Sequence, residues 1–175
     1  MEVYEVEQEQ KQVQNEELEQ NKTEKPVSSL SKALITGFVG GLLWSFVGVV
    51  TYFFNFSSVS AASFIIRSWI QTDWTGSWIG EFLGMVAIGL LSLGVAVIYY
   101  GLLRKTHGLF PPILFGVALW FIVMYLFNPI FATVPTVYEM DSNTIVTTLC
   151  IYILYGTFIG YSISYDYEQF EHGAS

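Results

Sequence analysis

The feature that most constrains this chain is a set of four long apolar segments that carry almost no charge. They cover approximately residues 33–56, 77–103, 109–128 and 143–165. At about 1.5 Å per residue, each can cross roughly 30 Å of hydrocarbon as an α-helix. Three segments contain no charged residue, and the second contains Glu81 alone, near its first turn. The sequence therefore predicts an all-α membrane protein built as a four-transmembrane-helix bundle.

Charged residues are concentrated at the two ends of the chain. Of the 15 acidic residues, eight lie within the first 24 positions and three within residues 166–171. Residues 1–29 hold almost no large apolar side chain, so we expect a disordered acidic tail in the cytoplasm. Residues 30–167 form the predicted membrane domain, and residues 168–175 form a short cytoplasmic tail. The net charge of −8 argues against nucleic acid as a partner.

Cations in short loops set the orientation of membrane helices, because they stay on the cytoplasmic side during insertion. Three lysines within residues 22–32 precede the first apolar segment, and Arg104 and Lys105 lie between the second and the third. All five fall on one side of the predicted bundle, opposite Arg67. We therefore expect a multi-pass protein of the cell membrane with both termini in the cytoplasm.

The first outer loop, between the first two apolar segments, carries a short amphipathic stretch. Its apolar residues recur at helical spacing on one face, and its polar residues lie on the other. The apolar set is Ala62, Ile65, Ile66, Trp69 and Ile70, and the polar set is Ser60, Ser63, Arg67 and Gln71. The pattern predicts a short interfacial helix that lies on the membrane surface.

Small residues gather on one face of three of the four predicted helices. On the first helix, bulky residues such as Phe46 and Phe53 take the opposite face. Lipid tails are as apolar as those side chains, so helices associate through small residues, which let their backbones approach closely. The third helix offers only Gly116 and Ala118, and we expect it to pack at the periphery. The predicted packing residues are Gly37, Gly41, Ser45, Gly48, Gly80, Gly84, Gly156, Gly160 and Ser164.

Glu81 is the possible polar site. In the first turn of a helix, a carboxylate is favoured by the positive end of the helix dipole, and Arg67 and Asp73 are possible partners. A lone acid at an aromatic-rich rim could instead bind a cation or titrate during transport. A transport route would then follow a polar set on the second and fourth helices. That set is Glu81, Ser92, Tyr99, Thr148 and Tyr155.

No convergent set of catalytic, cofactor-binding or metal-binding residues is visible in the sequence. His107 and His172 are the only histidines, and neither stands at a spacing that pairs it with a nucleophile or an acid. Cys150 is the single cysteine, which excludes an internal disulfide and a cysteine metal cluster. We therefore predict no enzyme activity, no metal and no cofactor.

Several stretches resemble a family of conserved bacterial membrane proteins called YqhR. They are "TGFVGGLLWS" in the first helix, "YFFNF" at its end, "FNPIF" after the third, and "DSNTIVTTLCIYILYGTFIGYSIS" through the fourth. The likeness covers approximately residues 26–167. It implies a bacterial cell membrane of the Gram-positive type. It implies no activity, substrate or cofactor, so no site residue is carried over from it.

The leading functional hypothesis is a non-enzymatic structural, interaction or accessory protein that acts through helix–helix contacts within the lipid bilayer. It would work as a homo-oligomer or beside another membrane protein. The small faces of the helices and the lack of chemistry favour this interpretation. The alternative is a small oligomeric transporter or channel for ions or solutes.

Overall fold

The structure is a computed structural model that describes residues 29–106 and 108–173, with the backbone alone for residues 170–173. The predicted acidic tail lies outside the described residues up to position 28, as do His107 and residues 174–175. Helices, turns and loops make up the described part of the chain, which contains no strand. The predicted all-α class is confirmed there.

The described residues form six α-helices, which we number in chain order. They are α1 (Ser29–Phe53), α2 (Ala61–Phe64), α3 (Ile66–Trp69), α4 (Trp78–Leu103), α5 (Phe110–Phe121) and α6 (Ser142–Gly173). A π-helical turn at Ile122–Leu126 extends α5, and 3₁₀ turns occupy Asp73–Gly76 and Asn128–Ile130. The helix α6 continues as far as residue 173, into the predicted cytoplasmic tail.

Three of these helices are long and apolar enough to cross a membrane. They are α1, α4 and the Ser142–Gln169 part of α6, with mean hydropathies of 2.0, 2.3 and 1.5. The helix α5 with its π-helical turn, Phe110–Leu126, is apolar but shorter. At 1.5 Å per residue it reaches about 25 Å. Pro111 and Pro112 stand in its first turn, where a missing N–H group is harmless.

The helices α1 and α6 form the centre of the bundle. The helix α1 packs against α4 on one side and α6 on the other, and α5 packs against α6. On α1, Phe46 and Phe53 point outwards and are 57% and 77% exposed, as the helical wheel predicts. We call the end with Ser29 and the α4–α5 turn the terminal end, and the opposite end the loop end.

Glycines bring α1 and α4 together where the two helices cross. A Cβ atom added at Gly37 would lie 3.0 Å from the carbonyl oxygen of Ser92. One added at Gly41 would lie 2.5 Å from the Ser92 Cβ and 2.9 Å from the Gly89 Cα. Carbon atoms in contact are normally about 3.5–4.0 Å apart, so no larger residue fits at these positions without a shift. Gly48 shares their face but differs, because a Cβ there would meet nothing within 4 Å.

Glycines also mark the crossing of α5 and α6. A Cβ added at Gly156 would lie 2.6 Å from the Gly116 Cα and 2.8 Å from the Pro112 oxygen. A Cβ added at Gly116 would meet the carbonyl oxygen of Tyr152. One at Gly160 would lie 2.6 Å from the Pro112 Cβ. The helix α5 lies at the edge of the bundle, as expected. These glycines bring its backbone into close contact with α6.

Gly80 and Gly84 make their contacts with the loop end of the chain rather than with a long helix. A Cβ added at Gly80 would meet the backbone of Thr75, in the 3₁₀ turn before α4. One added at Gly84 would lie 2.7 Å from the backbone nitrogen of Ala62 in α2. These glycines let the connection between α1 and α4 lie directly on α4.

The two serines of the predicted packing set lie inside the bundle. The Ser45 hydroxyl donates to the carbonyl oxygen of Leu42 at 3.0 Å. The Ser164 hydroxyl is enclosed and has no hydrogen-bond partner among the described residues. Both side chains are small enough to leave the helix backbones close together.

The segment predicted as one surface helix consists of two single turns, α2 and α3, which meet at Ile65. Part of its polar side is turned into the protein, since Ser60 and Ser63 are buried, at 2% and 5% exposure. Trp69, on the apolar side, is 72% exposed. The predicted orientation is therefore wrong for the serines. Ser60 donates a hydrogen bond to an acidic side chain of α4, and the Ser63 hydroxyl lies within hydrogen-bond distance of Ser60.

Two hydrophobic cores lie along the bundle. The core nearer the terminal end consists of Ala33, Ala96, Tyr99, Tyr155, Ile159 and Ile163. The core nearer the loop end consists of Val59, Trp120, Met124, Val134 and Met140. The candidate site borders both of them.

Candidate functional site

A cavity of about 350 Å³ lies inside the bundle and borders both cores. The helices α1, α4, α5 and α6 contribute to its wall, and residues 57–65 close it at the loop end. Leu91, Gly94 and Ile98 of α4 line the cavity and are also exposed on the outside of the bundle. Phe127, just beyond α5, does the same. The cavity therefore opens sideways between α4 and α5.

The opening is closed towards the terminal end. There α4 and α5 meet through Tyr99 and Phe115, whose rings stand edge to face with centroids 5.0 Å apart. Gly94, nearer the loop end of α4, has nothing within 4 Å of the position that a Cβ would take. The two helices thus contact each other at one end and leave a gap beside the cavity.

Three helices are tied together at the cavity wall by one chain of hydrogen bonds. The Ser92 hydroxyl of α4 donates to the carbonyl oxygen of Gly37 in α1 at 2.6 Å. Because that hydroxyl uses its hydrogen on Gly37, the Tyr155 hydroxyl of α6 donates to Ser92. The contact is buried, and a buried hydroxyl that lacks a partner would cost about 1–3 kcal/mol.

The other hydroxyls of serines and threonines in the wall are also bonded within the protein. Ser60 is bonded to an acidic side chain described below. The rest donate to backbone carbonyl groups close by in the chain. They are Ser45, Thr51, Ser57 and Thr148.

Tyr152 is the exception in the cavity wall. Its side chain lines the cavity, three residues before Tyr155 on α6, and its hydroxyl makes no hydrogen bond within the described part of the chain. Four other polar atoms without a partner there are enclosed by protein, on Ser29, Trp44, Tyr99 and Ser164. The Tyr152 oxygen is not among these enclosed atoms. It is therefore an accessible polar group inside an otherwise apolar cavity.

Glu81 is held by an ion pair and by two further hydrogen bonds. Arg67 Nη2 lies 2.6 Å from Glu81 Oε1, and the two side chains are 20% and 12% exposed. The Ser60 hydroxyl donates to the same carboxylate oxygen at 2.8 Å. The backbone N–H of Ala62 donates to the other oxygen at 3.2 Å. Both carboxylate oxygens are thus occupied, and the negative charge is neutralised.

Arg67 is fixed by several groups besides Glu81. Its Nε donates to the Thr75 carbonyl oxygen at 3.2 Å, and its Nη1 donates to Ser63 Oγ at 3.3 Å. Its guanidinium also lies 5.6 Å from the centre of the Tyr52 ring, within range of a cation–π contact. Of the two partners considered for Glu81, Arg67 is the one beside it. The network fastens the cavity's loop-end cover to α4.

The five residues of the predicted transport route are divided between different surroundings. Ser92, Thr148 and Tyr155 line the cavity. Glu81 lies in the ion pair outside the cavity wall, and Tyr99 is fully buried in the terminal-end core. The described residues do not bring all five onto one surface.

Several residues of the packing and of the cavity wall were missed by the sequence interpretation. Gly89 lies against Gly41, and Gly116, noted in the sequence only as a small residue of the third helix, lies against Gly156. Tyr152 was not singled out, although it stands three residues before Tyr155 and so shares its helix face. That spacing could have identified it as a second wall residue.

Two acidic side chains at the loop end accept hydrogen bonds from residues close by in the sequence. Asp141 accepts hydrogen bonds from the Thr144 hydroxyl at 2.6 Å and from the Thr144 N–H at 3.2 Å. These bonds hold the pKa of Asp141 below its usual value. Glu139 accepts hydrogen bonds from the Thr136 N–H and hydroxyl, which likewise lowers its pKa.

No group of three His, Cys, Asp or Glu side chains suited to a metal occurs among the described residues.

Comparisons with known proteins agree with the resemblance seen in the sequence. The family described as conserved membrane protein YqhR matches residues 13–175. An uncharacterized protein YqhR of Bacillus subtilis (strain 168) is 44% identical over 156 residues, which cover 89% of this chain and 86% of that protein. No solved structure matches the chain. The chain therefore belongs to the YqhR family of conserved membrane proteins.

Proposed function

We propose that this protein is a non-enzymatic accessory protein of the bacterial cell membrane that acts through helix contacts with another copy or another membrane protein. In this proposal α5 is a fourth span beside α1, α4 and α6, so both termini lie in the cytoplasm. The cations of residues 32, 104 and 105 then share one side, opposite Arg67. The 17 residues of α5 and its π-helical turn suffice if the bilayer thins slightly around them.

The observation that carries the proposal is an unfilled small surface on α4. Gly94 and Gly101 are exposed and seven residues apart, so they lie on one face of the helix. A Cβ at either would meet nothing within 4 Å. Elsewhere in the bundle, glycines such as Gly41 and Gly156 stand against a neighbouring helix. An outside helix could approach α4 at this face as closely as α1 approaches its other side.

Photo-crosslinking in native membranes tests this proposal. The photoreactive residue p-benzoylphenylalanine is placed at Leu102, which is 76% exposed beside Gly101. The matched control carries it at Phe46, 57% exposed on the lipid-facing side of α1. We expect a protein adduct from position 102, its loss when Gly101→Leu is added, and no adduct from position 46. Lipid adducts alone at both positions would refute the proposal.

A small transporter is the second candidate, favoured by the placement of Ser92, Thr148 and Tyr155 on one cavity wall. The pairing of Glu81 with Arg67 counts against it, because a neutralised carboxylate offers a passing cation little attraction. Proton and cation flux into liposomes decides between the two functions. A flux that Glu81→Gln abolishes supports transport by a route that includes Glu81. Absent flux removes the transporter, and a flux that Glu81→Gln leaves unchanged removes Glu81 from the route.

A further inference from the structure

The cavity between α4 and α5 has the size and the polarity of a ligand site. Its volume of about 350 Å³ is more than twice that of a cavity of roughly 150 Å³ known to bind benzene. It also falls at the lower end of the range of roughly 300–1,000 Å³ for small-molecule sites. A cavity that opens onto lipid is filled from the bilayer, since empty space forfeits dispersion contacts.

The hydrogen bonds of the wall limit what the occupant can offer. The serine and threonine hydroxyls and Tyr155 are already bonded, and the Trp44 N–H is enclosed. Tyr152 supplies the one accessible polar atom without a partner in the described wall. An occupant therefore meets apolar surface everywhere except at a single phenol, which can donate one hydrogen bond and accept others.

The charges around the cavity exclude an ionised occupant. Apart from tyrosine, the wall residues carry no titratable side chain. Arg67, the cation nearest the cover, is engaged by Glu81 at 2.6 Å. A carboxylate or phosphate inside would lose its hydration without gaining a counter-ion, which costs several kcal/mol at least. Tyr152 lies ten residues after Ser142, or about 15 Å along α6 from the loop end, far from the headgroups.

We propose that this cavity binds a neutral, elongated apolar molecule with one carbonyl or hydroxyl oxygen. The molecule enters the cavity between α4 and α5. The oxygen hydrogen-bonds with the Tyr152 hydroxyl, and the chain of the molecule lies against Leu91, Ile98 and Leu119. An acyl or prenyl chain that ends in a ketone or an alcohol has this chemistry. The ligand site lies in the interior of the bundle, whereas the helix partner proposed above would sit outside it. Gly94 borders both the opening and that α4 face, so a partner seated there would cover the opening.

Two photoreactive probes that differ in one oxygen test the assignment. The first is a diazirine derivative of 2-hexadecanone, and the second is the same diazirine on hexadecane. The full chain is placed in phosphatidylglycerol nanodiscs and photolabelled over a range of probe concentrations. We expect half-maximal labelling of wall peptides from α4 and α5 at a lower concentration of the ketone than of the alkane. One neutral hydrogen bond corresponds to a difference of about two- to tenfold.

Tyr152→Phe removes the hydroxyl and keeps the ring. We expect it to raise the half-maximal ketone concentration by the same about two- to tenfold and to leave the alkane unchanged. Tyr161→Phe, the same change at a residue 56% exposed on α6, should alter neither. Equal labelling by both probes in the wild type, or no effect of Tyr152→Phe, overturns the proposal and leaves a cavity filled by lipid tails alone.

Gly94→Trp provides a second variant, because its side chain is added where a Cβ has no neighbour within 4 Å. It fills the opening without disturbing the polar wall. We expect it to abolish wall labelling by both probes while the thermal unfolding temperature stays within a few degrees of the wild type. Undiminished labelling would place the probes outside the cavity and contradict the proposal.

Discussion

Adding a single methyl group to Gly156 should separate α5 from α6. The new Cβ in Gly156→Ala would lie 2.6 Å from the Gly116 Cα and 2.8 Å from the Pro112 oxygen. Carbon atoms in contact are normally about 3.5–4.0 Å apart, so the helices must move apart by about 1 Å. No side chain can rotate away instead, because the opposing atoms belong to the backbone.

The free energy of this change combines two terms of opposite sign. Overpacking in a tight site costs about 1–3 kcal/mol. Alanine is favoured over glycine within a helix by about 1 kcal/mol. We therefore expect Gly156→Ala to lower the free energy of unfolding by up to about 2 kcal/mol. Gly48→Ala is the matched control, because its methyl group enters the cavity and meets nothing within 4 Å, so it retains only the favourable term.

Reversible unfolding in mixed detergent micelles, followed by tryptophan fluorescence, measures both variants. Trp120 is a suitable reporter, since it packs at the α5–α6 contact and donates to the Thr148 hydroxyl at 3.0 Å. The predicted difference in unfolding free energy between Gly48→Ala and Gly156→Ala is about 1–3 kcal/mol in favour of the former. Equal stabilities, or a more stable Gly156→Ala, would refute the reasoning that these helices are held by glycine contacts.

Three further predictions concern the loop end and the topology. Replacing either Glu81 or Arg67 by Gln should destabilise the protein by about 3 kcal/mol, because the remaining charge is partly buried and unpaired. The double replacement should cost less than the sum of the two single losses. Additive losses would contradict the ion pair. Hydrogen bonds from Thr144 lower the pKa of Asp141 in the folded protein. Its contribution to stability is therefore complete above its ordinary pKa of about 3.9, and the stability advantage over Asp141→Asn should begin to fall below about pH 4 and vanish below the lowered folded pKa. An advantage independent of pH would contradict the cap. In a Cys150→Ser background, a membrane-impermeant maleimide applied to whole cells should label Tyr138→Cys and miss Lys105→Cys, and the reverse result would invert the proposed topology.

The inward face of α1 could be predicted from the sequence because lipid reverses the usual rule of burial. Bulky apolar side chains gain nothing by leaving hydrocarbon, so small residues go inside. Gly37 and Gly41 are accordingly buried, while Phe46 and Phe53 are exposed. A helical wheel contains this information. A helical wheel does not reveal whether a neighbouring helix packs against every residue of the face. Gly48 shares the face of Gly41 but borders a cavity.

Which helices pack against each other could not be predicted from the sequence, because periodicity describes one helix at a time. Gly116 is the lone glycine in α5, yet it faces Gly156 directly. The inward turn of Ser60 and Ser63 was missed for a related reason. An interfacial helix would turn its polar face to water, but the carboxylate of Glu81 accepts a hydrogen bond from Ser60 inside the protein, and Ser63 contacts Ser60 and Arg67 there.

A structure of the full chain in a lipid nanodisc, solved with a bound antibody fragment, tests the central claim most directly. The account predicts that α4 and α5 stand apart at the level of Gly94 and that non-protein density fills the gap and reaches Tyr152. Side chains of α5 packed directly on α4 at Gly94, with no space left inside the bundle, would contradict it.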